Sequence, residues 1–136
     1  MTTTEPAATA LVDANTALAN LYSSVPLMRG SVLASVDGRV LAAEFDDSRK
    51  DAIAAVVASG FALGGKLGEI IGSNGVEEMT VRTADGFVCL FSVGDRAVLA
   101  AMAMPDANVG LLNLRAREAA ESLSGLVPDL LEDAAT

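Results

Sequence analysis

The side chains best suited to chemistry in this chain are few, and their types and spacing build no reactive constellation. There is no histidine, so imidazole general-base catalysis and histidine-ligated metal sites are absent. Cys89 is the single cysteine, which excludes a disulfide framework and a multi-cysteine zinc site. It lies in the apolar run Phe87–Phe91, the setting of a buried, inert thiol. The pair Asp46-Asp47 could ligate a metal, but acidic cap residues at a helix start are far commoner. Glu77-Glu78 opens a strand-like run and reads as a charged, solvated edge. Gly60, Gly64 and Gly65 share only their glycines with a phosphate loop: they lie inside a helical run, and no Gly-Lys-Ser/Thr triplet follows. Arg39 and Arg96, each just after a turn, are exposed cations that could meet a partner, although most loop cations are merely solvated. No catalytic residue, cofactor or metal ligand is expected.

The elements that would carry any site centre on one helix. Between Asp51 and Lys66 fourteen residues pass without a charge, most of them small: Ala52, Ala54, Ala55, Ala58, Ser59, Gly60, Ala62, Gly64, Gly65. A helix apolar around most of its girth must be covered on more than one side. Fourteen residues fall short of the roughly twenty needed to span a bilayer, so the expected covers are the chain's own sheet and a second protein surface. Gly60, Gly64 and Gly68 recur at every fourth position. Each costs about 1 kcal/mol of helix propensity relative to Ala, and close approach of another backbone could offset that. That approach is made either by the chain's own sheet or by a second copy, and the apolar girth favours the second copy. The expected interface is Val56, Gly60, Leu63, Gly64 and Leu67 with Met79 and Val81 of the following strand. A bulky Gly64→Leu should then break a dimer and leave the monomer helical.

Composition sets the frame. With 136 residues, 51% of them hydrophobic, the chain makes one well-cored domain; at 4% aromatic and without Trp, that core is Ala, Val, Leu and Ile. Eighteen acids against nine bases give a net charge of −9, which argues against nucleic acid or an anionic membrane as partner. Seven Arg to two Lys on an Ala-rich background suits a GC-rich bacterial genome. Residues Met1 to Thr9 carry no Lys or Arg and lack the pattern of a secretory signal, so a cytoplasmic protein with no membrane insertion is expected.

Along the chain, residues 1–6 read as a disordered leader, 7–125 as the folded domain and 126–136 as an acidic, frayed tail. Leu11, Ala14, Leu18, Leu21 and Tyr22 mark a first helix by their spacing. Strand-like runs flank Asp37-Gly38 and Asp85-Gly86, dipeptides suited to tight hairpin turns. Asp46-Asp47-Ser48 should cap the central helix and Gly72–Gly75 close it. Gly94-Asp95 turns into a last strand, Ala97–Met104. Asp106-Ala107-Asn108 then caps a final helix with Leu111, Leu112, Leu114, Ala119 and Leu123 inward. The class is α+β, in the order α-ββ-α-βββ-α, with a single five-stranded antiparallel sheet covered by helices.

These segments together resemble the Roadblock/dynein light chain domain family. The residues that carry the likeness are Arg29–Gly38 with Val40–Ala43, Glu78–Thr83, Val93–Ala100 and Pro105–Leu112, in family order over about residues 7–125. The resemblance implies the long central helix on one face of the sheet and the terminal helices on the other. It implies pairing through that helix and the next strand into a sheet continuous across a homodimer. It further implies a small Ras-like GTPase as partner, and pairing with related Roadblock chains as another option. The function expected is a non-enzymatic regulator or scaffold of such a GTPase. A small-ligand sensor, with Phe87, Cys89 and Phe91 lining a pocket, and a purely structural dimerisation module are the alternatives.

Overall fold

The structure is a computed structural model and describes residues 5–45 and 48–134. Helix α1 (Glu5–Ser24) leads into β1 (Met28–Ser35) and β2 (Val40–Glu44), then α2 (Lys50–Glu69). Strands β3 (Glu78–Thr83), β4 (Gly86–Val93) and β5 (Ala97–Ala103) follow, and α3 (Val109–Ser124) and α4 (Val127–Ala134) end the chain. The strands form one antiparallel sheet in the order β2-β1-β5-β4-β3. The central pairing is non-local: Val32, Leu33 and Ala34 of β1 stand opposite Ala100, Leu99 and Val98 of β5.

Side chains alternate across a strand, and here both directions lead to a core. On one face Leu33, Phe87, Cys89, Phe91 and Leu99 pack with Leu18 and Leu21 of α1, Leu112 and Leu123 of α3, and Leu130 of α4. On the other, Val32, Ala34, Leu90, Val98 and Ala100 pack with Ala54 and Val57 of α2. The face of β1 that carries Ser31, Leu33 and Ser35 is therefore buried as fully as the other. The Ser31 hydroxyl is enclosed there without a hydrogen-bond partner.

Several boundaries move. Glu5 and Pro6, expected in a leader, begin α1; residues 1–4 lie outside the described residues. The expected frayed tail contains α4, held by buried Val127, Leu130 and Leu131. Tyr22 and Leu114 are exposed instead of core-facing, because Ala10 and Ala14, and Ala116 and Ala120, supply the inward positions. Asp46 and Asp47 lie outside the described residues, and Arg49 occupies the N-cap of α2. At α3 the capping expectation holds: the Asn108 Oδ1 accepts from the Leu111 amide at 3.0 Å.

The turns are set by glycine geometry. Between β1 and β2 the Gly38 amide donates to the Ser35 carbonyl at 2.9 Å and the Ser35 amide to the Arg39 carbonyl at 2.8 Å. This is a three-residue loop with Gly38 at φ 92°, not a two-residue Asp-Gly turn. Between β3 and β4 the loop is Ala84-Asp85, and Gly86 already pairs with Thr83. Gly86 has φ 140°, and a Cβ there would overlap the Ala103 carbonyl oxygen of β5. It is a close-approach glycine within a strand.

Candidate interaction surface

Helix α2 has an inner and an outer side. Ala54, Val57, Ala58 and Gly64 are buried, and the helix rests mainly on β1, with β2 and β5 beside it. The outer side is apolar and bare: Val56 is 70% exposed, Leu63 64% and Leu67 59%, and the stripe continues past the helix end through Ile70 and Ile71. Residues 56, 63, 67 and 70 follow the three-to-four spacing of one helical face. Ile70 and Ile71 were not among the expected interface residues, although continuing that spacing from Leu63 and Leu67 reaches Ile70. Among the described helices α2 also has the length and composition of a membrane span. Its inner side is seated on the sheet, so it reads as a core helix with a second, uncovered face.

The glycine strip lies elsewhere. A Cβ on Gly64 would overlap the Met79 Sδ and come within 3.1 and 3.2 Å of its Cε and Cγ; one on Gly60 would meet Leu90 Cδ1 at 4.0 Å. One on Gly68 would touch the Ser73–Val76 loop at 3.6 Å. Gly64 therefore lets α2 approach β3 of its own sheet, while a Cβ at Gly60 or Gly68 would make only ordinary contact. Gly64 and half-buried Met79, both expected at the interface, hold each other inside the protomer. Val56, Leu63 and Leu67, with half-buried Gly60 at the margin, face out.

Beside this stripe β3 is an edge strand, paired only with β4. Its residues are exposed except Met79, and Val81 is 51% exposed. Arg117 on α3 ties the strand down through two hydrogen bonds of 2.9 Å to the Glu78 carboxylate. Unpaired N–H and C=O groups along an exposed edge are a template for another strand.

The two arginines singled out by sequence sit at one end of the sheet. The Val36 amide donates to the Arg96 carbonyl at 3.0 Å, which brings the β1–β2 and β4–β5 turns together. Arg39 works within its own turn: its Nε lies 3.3 Å from an Asp37 oxygen, and its amide donates to Ser35 Oγ at 3.0 Å. The Ser35 hydroxyl also donates to Asp37. That bond, aided by Arg39, holds the Asp37 carboxyl below the usual carboxylate range. Arg96 is exposed.

Reactive chemistry is sparse. Burial pushes the Cys89 thiol up, so it stays protonated and inert. Among the described residues no cluster of three or more His, Cys, Asp or Glu could hold a metal. Phe87, Cys89 and Phe91, considered as a pocket lining, are packed under the terminal helices. An open groove of about 300 Å³ runs between Ile53, Val81, Val88 and Met102.

A sheet lidded on one face, an apolar helix half-covered on the other, and a free strand beside it are the features the fold brings together. The sequence profile of the Roadblock/LC7 domain matches residues 14–103, and the chain belongs to that family. Solved structures share the fold. A Roadblock/LC7 domain from Streptomyces avermitilis is 22% identical, at a TM-score of 0.79, over 84% of this chain and 97% of its own. The gliding protein MglB of Thermus thermophilus is 20% identical, at 0.82, over 88% and 92%. An MglB with a tetrameric arrangement is 21% identical, at 0.83, over 89% and 92%. No curated protein sequence matches the chain.

Proposed function

We propose that this chain is a homodimeric regulator or scaffold of a small Ras-like GTPase and works in the cytoplasm without chemistry of its own. The observation that carries the reading is the bare stripe Val56–Leu63–Leu67–Ile70 beside the unpaired edge of β3. Large exposed apolar patches on a folded domain mark interaction surfaces, and a free edge adjoining one suits a second copy related by a two-fold axis. Family membership supports the GTPase as partner and a regulatory role.

Two measurements test this. Sedimentation should give twice the monomer mass at micromolar concentration. Capture from native lysate, run with GDP and with a non-hydrolysable GTP analogue, should recover a Ras-like GTPase. Preference for the GTP arm makes the chain an effector or activator, and equal recovery makes it a scaffold. Recovery of no GTPase in either arm would refute the GTPase assignment and leave a structural dimer.

A further inference from the structure

We infer that two copies of this chain join through β3 in one register, with Thr80 on the two-fold axis and Glu78 of each copy facing Arg82 of the other. The inference rests on the homodimer proposed above and specifies how the copies meet.

The first step is which backbone groups of β3 are free. The Ser92 amide donates to the Glu77 carbonyl at 3.0 Å, and these residues are opposite each other on continuing the β3–β4 register. Hydrogen-bonded and non-hydrogen-bonded pairs alternate along an antiparallel ladder. Met79, Val81 and Thr83 therefore turn their N–H and C=O groups toward β4, while Glu78, Thr80 and Arg82 turn theirs to the open edge. Those three residues are the ones a second strand can bond.

The second step is which faces must agree. The stripes on α2 can meet only if both helices lie on the same face of the joined sheet, so residues directly opposite must point to the same side. Met79 and Val81 lie on the α2 side; Glu78, Thr80 and Arg82 lie on the other, as the Arg117–Glu78 pair and the Arg82–Phe87 contact show. The axis must therefore pass through a residue.

Between Glu78 and Arg82 the two outer centres would set a residue against its own like charge, which leaves three, and side chains separate them. With the axis at Thr80, Met79 faces Val81 twice, Glu78 faces Arg82 twice, and the two threonines meet. Moved to Val81, it sets Glu77 against Asp85 and Met79 against Thr83. At Met79, it places the Glu77 carboxylate on Val81. Opposite charges and Thr–Thr pairs stabilise cross-strand neighbours, and like charges destabilise them. Of the three, only the Thr80 register sets opposite charges against each other; the Glu78 carboxylate, already bonded to Arg117, then takes Arg82 of the other copy as a second cation. The same code favours a second copy over a chain lacking the Glu78/Arg82 pattern.

Cross-linking reads the register directly. Thr80→Cys and Val81→Cys are each made in a Cys89→Ala background, because Cys89 stands opposite Thr80 within the protomer. A hydrogen-bonded antiparallel pair has Cα atoms about 5.5 Å apart, within disulfide reach. Thr80→Cys should form a disulfide-linked dimer on oxidation. Val81→Cys should not, its copies being diagonal and too far apart, while remaining dimeric by solution mass. Cross-linking of Val81→Cys instead would overturn the register, as would a dimer in which neither variant links. A monomeric solution mass for the parent would sink the homodimer reading itself, and this inference with it. Charge exchange gives a second readout. Arg82→Glu and Glu78→Arg should each weaken self-association by about tenfold, and an equimolar mixture of the two should restore it. Mixing without rescue would count against the Glu78–Arg82 contact.

Discussion

Leu63 and Gly64 are neighbours in sequence, yet the structure turns them in opposite directions, and substitutions at the two should have opposite consequences. Leu63 is 64% exposed in the protomer. Burying that fraction of a leucine is worth roughly 1–2 kcal/mol, from about 1.5–3 for the whole side chain. Both copies contribute, so Leu63→Asp removes roughly 2–4 kcal/mol from a two-fold interface, about 30- to 1,000-fold in Kd. Enclosing two carboxylates adds to this. The protomer itself should be nearly indifferent, since an exposed helical position away from special features shifts stability by about 0.5 kcal/mol or less. Gly64→Leu has the reverse profile. Its Cβ would overlap the flexible end of the half-buried Met79 side chain, which must move aside; overpacking costs about 1–3 kcal/mol against the roughly 1 kcal/mol of helix propensity regained, a net loss of up to about 2 kcal/mol. Sedimentation equilibrium and thermal melts at a concentration where both variants are monomeric separate the two effects. Leu63→Asp should lose the dimer and keep its Tm; Gly64→Leu should lose several degrees of Tm. A dimer unaffected by Leu63→Asp would refute the assignment of the outer stripe, and a Gly64→Leu variant melting above the parent would refute the inward packing of Gly64.

Three further outcomes follow from single sites. Ser31→Ala removes a hydroxyl buried without a partner and should stabilise the fold by about 1 kcal/mol; a lower Tm would mean that the hydroxyl is satisfied by a bound water. Gly86→Ala forces a Cβ onto the Ala103 carbonyl at a positive φ and should cost about 2 kcal/mol or more in urea unfolding, whereas a neutral result would show that β4 and β5 can separate at that end. The Asp37 carboxyl is held below its usual value of 3.8 by Ser35 and Arg39. Its contribution is therefore complete above about pH 4 and lost as pH falls through the lowered value. Melts from pH 7 to pH 3 should show Asp37→Asn losing less stability on acidification than the parent, and parallel curves would argue that the turn does not depend on the charge.

How much of this was legible beforehand follows from the range of the interactions. Hairpins announced themselves through Gly38, Gly86 and Gly94, each at positive φ. Their loop lengths were not legible, since Gly86 is required by contact with β5, a strand on the other side of β4 in the sheet. The charges of Glu77-Glu78 read as a solvated edge, and β3 is an edge strand. In β1 the serines were no guide to exposure: Ser31 and Ser35 are buried with Leu33. Terminal residues were read as frayed because Pro6, Pro128 and several acids suggest solvent; the helices they join are held instead by Ala7, Val127 and Leu130 inside the core.

By itself the sequence determined the order of the elements, the absence of imidazole chemistry, and that the central helix is apolar around most of its girth. Periodicity and composition are local properties, and those conclusions need nothing more. It could not say which side of that helix rests on the sheet. A helix apolar all round has no polar stripe to mark its outer face, so period 3.6 carries no phase. Only the tertiary structure supplied that phase: Met79, arriving from the next strand, fills the notch at Gly64 and leaves Val56, Leu63 and Leu67 facing outward, beside a strand whose free hydrogen bonds are set by its pairing with β4.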